Sequence, residues 1–453
     1  MSNPSTLSQP ATQVKIAAEG VRATHVRWRI IAILMFIMAV TALCRLNLSI
    51  AGKYIQDEFA FNTVTMGWLF SAFLLGYALF QIPWGYIGDE YGPRRILTIS
   101  ILIWSVGTVA MGIAPRFAVG GALGVLWAFV VVRFLTGVGE AAVSPNVTRV
   151  IASWTAPRER GLASGLQIAG LGLGGTLTPI LISWTVAHWG WRISFYLCAA
   201  LGSLVIAVWR LYATDRPEEH RDVNAAELER IRPGAHHVDA QQRSFVSARH
   251  APWGKMLSSV SVWGLILGYG CQGYAFYVYY NWFYIYVVKV RGLTDMRAAV
   301  WTSTPFMAMA LLSPLGGLFS DRVGRKLGRR RGRQCGGWVG LGLSATLLWV
   351  GSHTANTTIA LPLIAAAAGF NMFAGANFWA ACIDLAPNFS ASLSALMNTC
   401  GNLGGWISPI ATAYVATRFS WSLSLDLAAL ITVCSGLLWF FVDAGKSIEE
   451  QSA

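Results

Sequence analysis

The stretch Gly85-Tyr86-Ile87-Gly88-Asp89-Glu90-Tyr91-Gly92-Pro93-Arg94-Arg95 decides the fold, because it is written again as Gly317-Leu318-Phe319-Ser320-Asp321-Arg322-Val323-Gly324-Arg325-Lys326. The two aspartates stand 232 residues apart (321 − 89) in a chain of 453. Each copy reads as a tight polar turn between two long apolar stretches, so two similar bundles joined head to tail are expected. A second echo has nearly the same offset: Gly174-Gly175-Thr176-Leu177-Thr178-Pro179 returns as Gly404-Gly405-Trp406-Ile407-Ser408-Pro409. Two independent pairs with one spacing are what an internal duplication leaves behind.

Working outward, 55% of the residues are hydrophobic and only 12% charged, the composition of a polytopic membrane protein. Apolar runs long enough to cross a bilayer fall near 30–51, 66–87, 95–115, 121–142, 160–184 and 191–212. Six more fall near 262–287, 298–318, 336–353, 358–384, 391–416 and 420–442. The sequence therefore predicts an all-α membrane protein with twelve transmembrane helices in two six-helix bundles. The expected segments are a tail 1–29, a bundle 30–212, a linker loop 213–258, a second bundle 259–443 and a tail 444–453. The first apolar run is too long, and too polar near its end, for a cleaved signal peptide. Asn224 followed by Glu227 is a capping-box pattern that predicts a short, solvated helix within the linker.

About 25 of the 34 lysines and arginines lie in the termini and even-numbered loops, which puts both termini in the cytoplasm and the chain in the cell (inner) membrane. The net charge of +13 is explained by that bias, and no nucleic-acid partner is expected. The seven cysteines show neither a disulfide framework nor zinc-ligand spacing, so no metal or other cofactor is expected. Neither HExxH nor GxxxxGK[ST] occurs, which argues against a membrane enzyme.

In the repeated motif, Gly85 and Gly317 allow close approach. Asp89 and Asp321 stand near helix ends, and Arg94, Arg322 and Arg325 are available to pair with them or with lipid phosphates. Ion pairs of that kind hold one conformation and break in another. The glycine–proline echoes have two readings, moving contacts between helices or tight packing seams.

With these residues in place, the double motif, the twelve spans and the central loop resemble the major facilitator superfamily. Arg45-Leu46-Asn47-Leu48-Ser49-Ile50-Ala51, Gln81-Ile82-Pro83-x-Gly85, Arg133-x-x-x-Gly137-x-x-Glu140 and Asn398-x-x-Gly401-Asn402 resemble its anion:cation symporter family. That family includes sialin, the vesicular glutamate carriers, and bacterial carriers of sugar acids, hexuronates and phthalate. The resemblance implies transport of a small organic anion. The galactonate-type carriers have an aspartate where this chain has Cys44 and a tyrosine where it has Ala42, which implies fewer coupled protons per anion. Where the glutamate carriers have a further arginine this chain has Gln272, so one carboxylate is better accommodated than two.

Ionisable residues inside a membrane are costly and mark function by default. Arg45 and Arg133 are the expected anion receptors, since guanidinium stays charged and presents a planar fork. Glu140, two helical turns beyond Arg133, is expected to share its cavity and to exchange the coupled proton. Burial favours the protonated carboxyl and a neighbouring arginine the ionised one, the opposition that makes a proton switch. Tyr77, Gln272, Tyr277, Tyr279 and Trp379 are candidates for the cavity wall, Gln272, Phe276, Tyr279 and Phe283 being on one helical face. Asn398 and Asn402, on consecutive turns, are candidates to hydrogen-bond the substrate. The expected partners are thus a small organic anion (sugar acid, hydroxy acid or aromatic carboxylate), a proton as coupling ion, and the lipid bilayer, with the chain a monomer. Proton symport is the leading expectation; exchange, potential-driven uniport and a non-transporting receptor of the same fold are the alternatives.

Overall fold

The structure is a computed structural model and describes residues 22–61, 63–231, 252–293 and 295–448. The outer parts of both expected tails, and the linker from 232 to 251, lie outside the described residues.

Long helices account for the apolar runs and overshoot them. Those of the first half are Val26–Phe59, Thr63–Tyr91, Pro93–Phe117, Gly121–Glu140 continued by Val143–Trp154, Arg160–Trp189 and Trp191–Tyr212. The second half has Val260–Lys289, Asp295–Leu327, Arg329–His353, Thr357–Leu385, Ser390–Arg418 and Trp421–Leu438. They are called the first to twelfth spans below. Large apolar side chains such as Leu79, Val106, Leu311, Ile410 and Leu430 stand exposed around the outside, a surface suited to lipid. The chain is an all-α, multi-pass membrane protein.

The polar motifs are on helix, which corrects their reading as turns. Gly85 and Asp89 belong to the last turns of the second span, and Gly317, Asp321, Arg322 and Arg325 to those of the eighth. The turn itself shrinks to Gly92 and Gly328, whose φ of 87° and 88° favour glycine. Pro93 then starts the third span at its first position, where the missing N–H costs nothing. Asp215 accepts the Arg94 N–H at 2.7 Å, and burial pushes its carboxyl above the ordinary range against that pull.

The fourth span runs on past its expected end. Pro145 has no N–H for the Ala141 carbonyl, so the helix breaks at 141–142 and resumes as Val143–Trp154. That break directly follows Glu140, and most side chains of the continuation are buried.

The glycine echoes are packing seams. Any side chain at Gly174 would strike the Ala39 carbonyl of the first span, and any at Gly404 would strike that of Gly270 in the seventh. The same contact is thus made once inside each half. Between the halves, the fifth span packs on the eighth and the second on the eleventh.

The linker helix is Ala225–Ile231, with Glu227 N–H donating to Asn224 Oδ1 at 2.9 Å as the capping pattern predicts. It is not the solvated helix expected. Glu227 is fully buried, accepts from the Val26 and Arg27 N–H groups, and pairs with the Arg27 guanidinium at 3.0 Å. Arg27 also reaches Glu159, just before the fifth span, at 3.0 Å. The linker helix is fastened to the entrance of the first bundle.

Candidate functional site

Between the halves lies a cavity of about 790 Å³, open space at its mouth included, bordered by the first, second, fourth, fifth, seventh, tenth and eleventh spans. Its ionic feature is a pair. Glu140 Oε1 accepts from Arg45 Nε at 2.8 Å and from Nη2 at 2.5 Å, joining the first span to the fourth. Glu140 is 2% exposed and Arg45 23%, so the carboxylate is sealed in the wall while the guanidinium still faces the cavity. Arg45 also lies 4.8 Å over the Tyr77 ring, which stacks on Phe73. A forked cation held by a carboxylate and braced on a ring can receive an anionic group when that carboxylate lets go.

Arg133 does not join them. It is buried, its guanidinium lies 4.5 Å over the Phe73 ring, and it is absent from the cavity wall. Its seven-residue spacing from Glu140 does set both on one face, but two turns is roughly 10.5 Å along the axis, too far for a contact. Phe73 fills the interval.

The opposite wall comes from the second half. Gln272 lines the cavity and donates through Nε2 to the carbonyl and side chain of Asn371 at 2.9 and 3.1 Å. Trp379 lines it and donates to the Tyr269 hydroxyl at 3.2 Å. Asn398 donates to Tyr77 Oη at 3.3 Å, and Asn402 accepts from the Tyr277 hydroxyl at 3.0 Å while donating to Gln81 at 3.3 Å. These last contacts stitch the second span to the eleventh across the two halves.

Tyr279 stands elsewhere. With Trp282, Phe283 and Trp421 it borders a smaller apolar pocket inside the second half, and Tyr277 takes the cavity position instead. Wall residues that sequence reasoning missed are Met38, Thr41, Ser144, Gln167, Tyr269 and Met372. Gln167 alone carried a signal, as an amide in the middle of a predicted span. Cys44 is buried, its thiol directed to the Cys198 carbonyl at 3.7 Å, and it contributes nothing to the wall.

Below the cavity the halves are locked at the end that carries the described chain termini. Asp89 accepts from the Ala391 and Ser392 N–H groups at 3.4 and 2.9 Å, capping the eleventh span, and meets Arg149 at 3.4 Å. Asp321 repeats this on the fifth span, accepting from Gly161 and Leu162 at 3.1 and 2.8 Å and pairing with Arg333 at 2.8 Å. Asp384 joins Arg333 and Arg160 at 2.9 and 2.8 Å and so bridges the halves. The motif's own arginines are not these partners. Arg94 donates to the Arg210 carbonyl, and Arg322 and Arg325 are exposed. Gly85 and Gly317 serve as close contacts, the first against Ala391 and the second against Gly161.

The chain has known relatives. The chain is 30% identical over 90% of its length to a probable sulfoacetate transporter of Cupriavidus necator, matching 90% of that protein. It is also 30% identical over 96% of its length to a probable galactarate/D-glucarate transporter of Escherichia coli, again matching 96% of that protein. Among solved structures, a proton:xylose symporter superposes with a TM-score of 0.75 at 18% identity, covering 95% of this chain and 99% of that one. The sequence model described as Major Facilitator Superfamily matches residues 34–409, spanning both bundles and every residue of the cavity wall. Repeated motif, paired bundles and a cavity between them converge with that match: the chain belongs to the Major Facilitator Superfamily.

Proposed function

We propose that the chain is a secondary active transporter that carries a small organic anion together with a proton, by alternating access. The observation that supports this most directly is the Arg45–Glu140 pair on the cavity wall. With Glu140 ionised, Arg45 is occupied. When Glu140 takes a proton, the guanidinium is released to an incoming carboxylate. Empty and loaded cavities then carry the same net charge, whereas anion without proton, or proton without anion, leaves an uncompensated charge in a low-dielectric interior. That penalty couples the two fluxes. Substitution of Cys44 for a second carboxyl supports a low proton number.

In this reading Tyr77, Gln272, Trp379, Asn398 and Asn402 shape the binding site. Arg133 lends positive potential from behind Phe73, and Tyr279 acts through packing. Asp89 and Asp321, with Gly85 and Gly317 beside them, form the gate at the end carrying the termini. The bias of lysine and arginine supports assigning that end to the cytoplasm and the chain to the inner membrane. Since both halves of the cavity are in one chain, a monomer suffices. The names of the relatives support an organic acid as cargo.

Proteoliposomes test the coupling. An imposed proton gradient drives accumulation by the wild type, and a protonophore abolishes it. Glu140→Gln, locked in the neutral form, is expected to lose accumulation at least about tenfold while homoexchange of preloaded anion persists. Accumulation by Glu140→Gln that still follows the gradient rules out Glu140 as the proton site. Uptake indifferent to the protonophore instead indicates exchange or uniport.

A further inference from the structure

We infer that the cavity selects a monoanion with a flat apolar body and one hydrogen-bond donor, an aryl monocarboxylate bearing a hydroxyl, over the dianionic acids named for its relatives. The inference rests on the reading of the cavity as an organic-anion site and narrows it.

Charge comes first. Among the described residues that line the cavity, Arg45 is the sole cation and Glu140 the sole carboxylate. Arg133 is withdrawn against Phe73, so a second carboxylate or a sulfonate on the substrate meets no cation of its own. The far wall answers Arg45 with neutral groups, and Gln272 there has its amide nitrogen committed to Asn371. An unpaired anionic group in such surroundings is strongly disfavoured, a penalty that a monoanion avoids.

Hydrogen bonding comes second. A polyhydroxy acid needs many free partners, yet most polar side chains here already satisfy one another. Asn398 is spent on Tyr77, Tyr277 on Asn402, and Trp379 on Tyr269. Opening those bonds for a sugar chain exchanges one set for another and strains the contacts that join the second and eleventh spans. Among the described wall residues Gln167 stands out, its Oε1 buried without a protein partner. That buried acceptor calls for a donor on the substrate.

Shape comes third. The remaining surface is apolar and polarizable, built from Met38, Ile168, Leu171, Phe276, Met372 and Trp379. Indole and phenyl faces with two thioethers suit a planar ring, which gains packing there without demanding hydrogen bonds.

The test uses the full-length chain in detergent and in proteoliposomes, with benzoate, 4-hydroxybenzoate, gluconate, galactarate and sulfoacetate at equal concentration. 4-Hydroxybenzoate is expected to give the largest rise in Tm and a KM about tenfold below that of either dianion, with benzoate intermediate. Gln167→Leu is expected to erase the difference between the two benzoates while leaving benzoate itself taken up. Gln272→Arg is expected to swing preference toward the dianions. If galactarate, sulfoacetate or gluconate outcompetes the aryl acids in the wild type, the narrowing is overturned and the anion-carrier reading stands. If no acid in the panel stabilises the protein or is taken up, both are overturned. The wild-type panel decides the matter even where a variant fails to fold.

Discussion

Arg45 and Glu140 were legible one residue at a time, because a charge inside an apolar run has few innocent explanations. Their pairing was not. It depends on the packing of the first span against the fourth, which no local pattern encodes. The same limit explains why Tyr279 stood beside Tyr277 among the candidates, although only Tyr277 lines the cavity. The seventh span is aromatic on every side, so its periodicity has no phase and cannot say which tyrosine faces inward. Arg133 was read on the correct helical face but at the wrong depth, since helical spacing fixes direction and leaves Phe73 out of account. At this scale the fork matters as much as the charge. Arg45→Lys keeps the cation but loses the second donor to Glu140 Oε1 and the stacking on Tyr77. Uptake efficiency is expected to fall by about 1.4 kcal/mol or more, a tenfold loss, in initial-rate measurements. Equal rates for the two forms would mean that the fork is not used.

Among elements, the twelve spans came from apolar length, and their ends from glycine and proline. What length could not give was the continuation Val143–Trp154, which is amphipathic and follows a proline break. Nor could it give the caps. Each motif aspartate closes a helix of the opposite half, Asp89 the eleventh span and Asp321 the fifth. The sequence marked both aspartates as gate residues and offered the arginines next door as partners for them or for lipid phosphates, whereas the partners Arg149 and Arg333 come from other helices. A carboxylate at a helix N-terminus satisfies orphan N–H groups and opposes the positive end of the dipole. Asp89→Asn and Asp321→Asn should each lower stability by roughly 1 kcal/mol, seen as a reduced Tm in detergent. Asp321→Asn should do more, because it also removes one of the two carboxylates that hold the buried Arg333. An unchanged Tm in both would show that the caps contribute nothing to the closed end.

For the whole molecule, two spacings in the sequence were enough to announce two matched bundles. The seam between them was hidden because the small residues that form it look the same as those packed within a bundle. Gly174 and Gly404 belong to the internal seams, while Gly317 presses directly on Gly161 across the halves. A side chain at position 317 has no room unless the bundles part. Gly317→Val is therefore expected to hold the terminal end open. Ser320, buried beside Arg333 in the closed form, offers a reporter: as Ser320→Cys it should resist a bulky maleimide in an otherwise unchanged chain and react once Gly317→Val is added. Equal reactivity in the two backgrounds would show that the wedge does not separate them.

Glu227 has a consequence for how the machine comes apart. Its carboxylate clasps the start of the first span, so the near end of the connecting segment travels with that bundle as a fixed passenger. Were the polypeptide severed beyond Ile231, the amino-terminal fragment would retain this fastening in full.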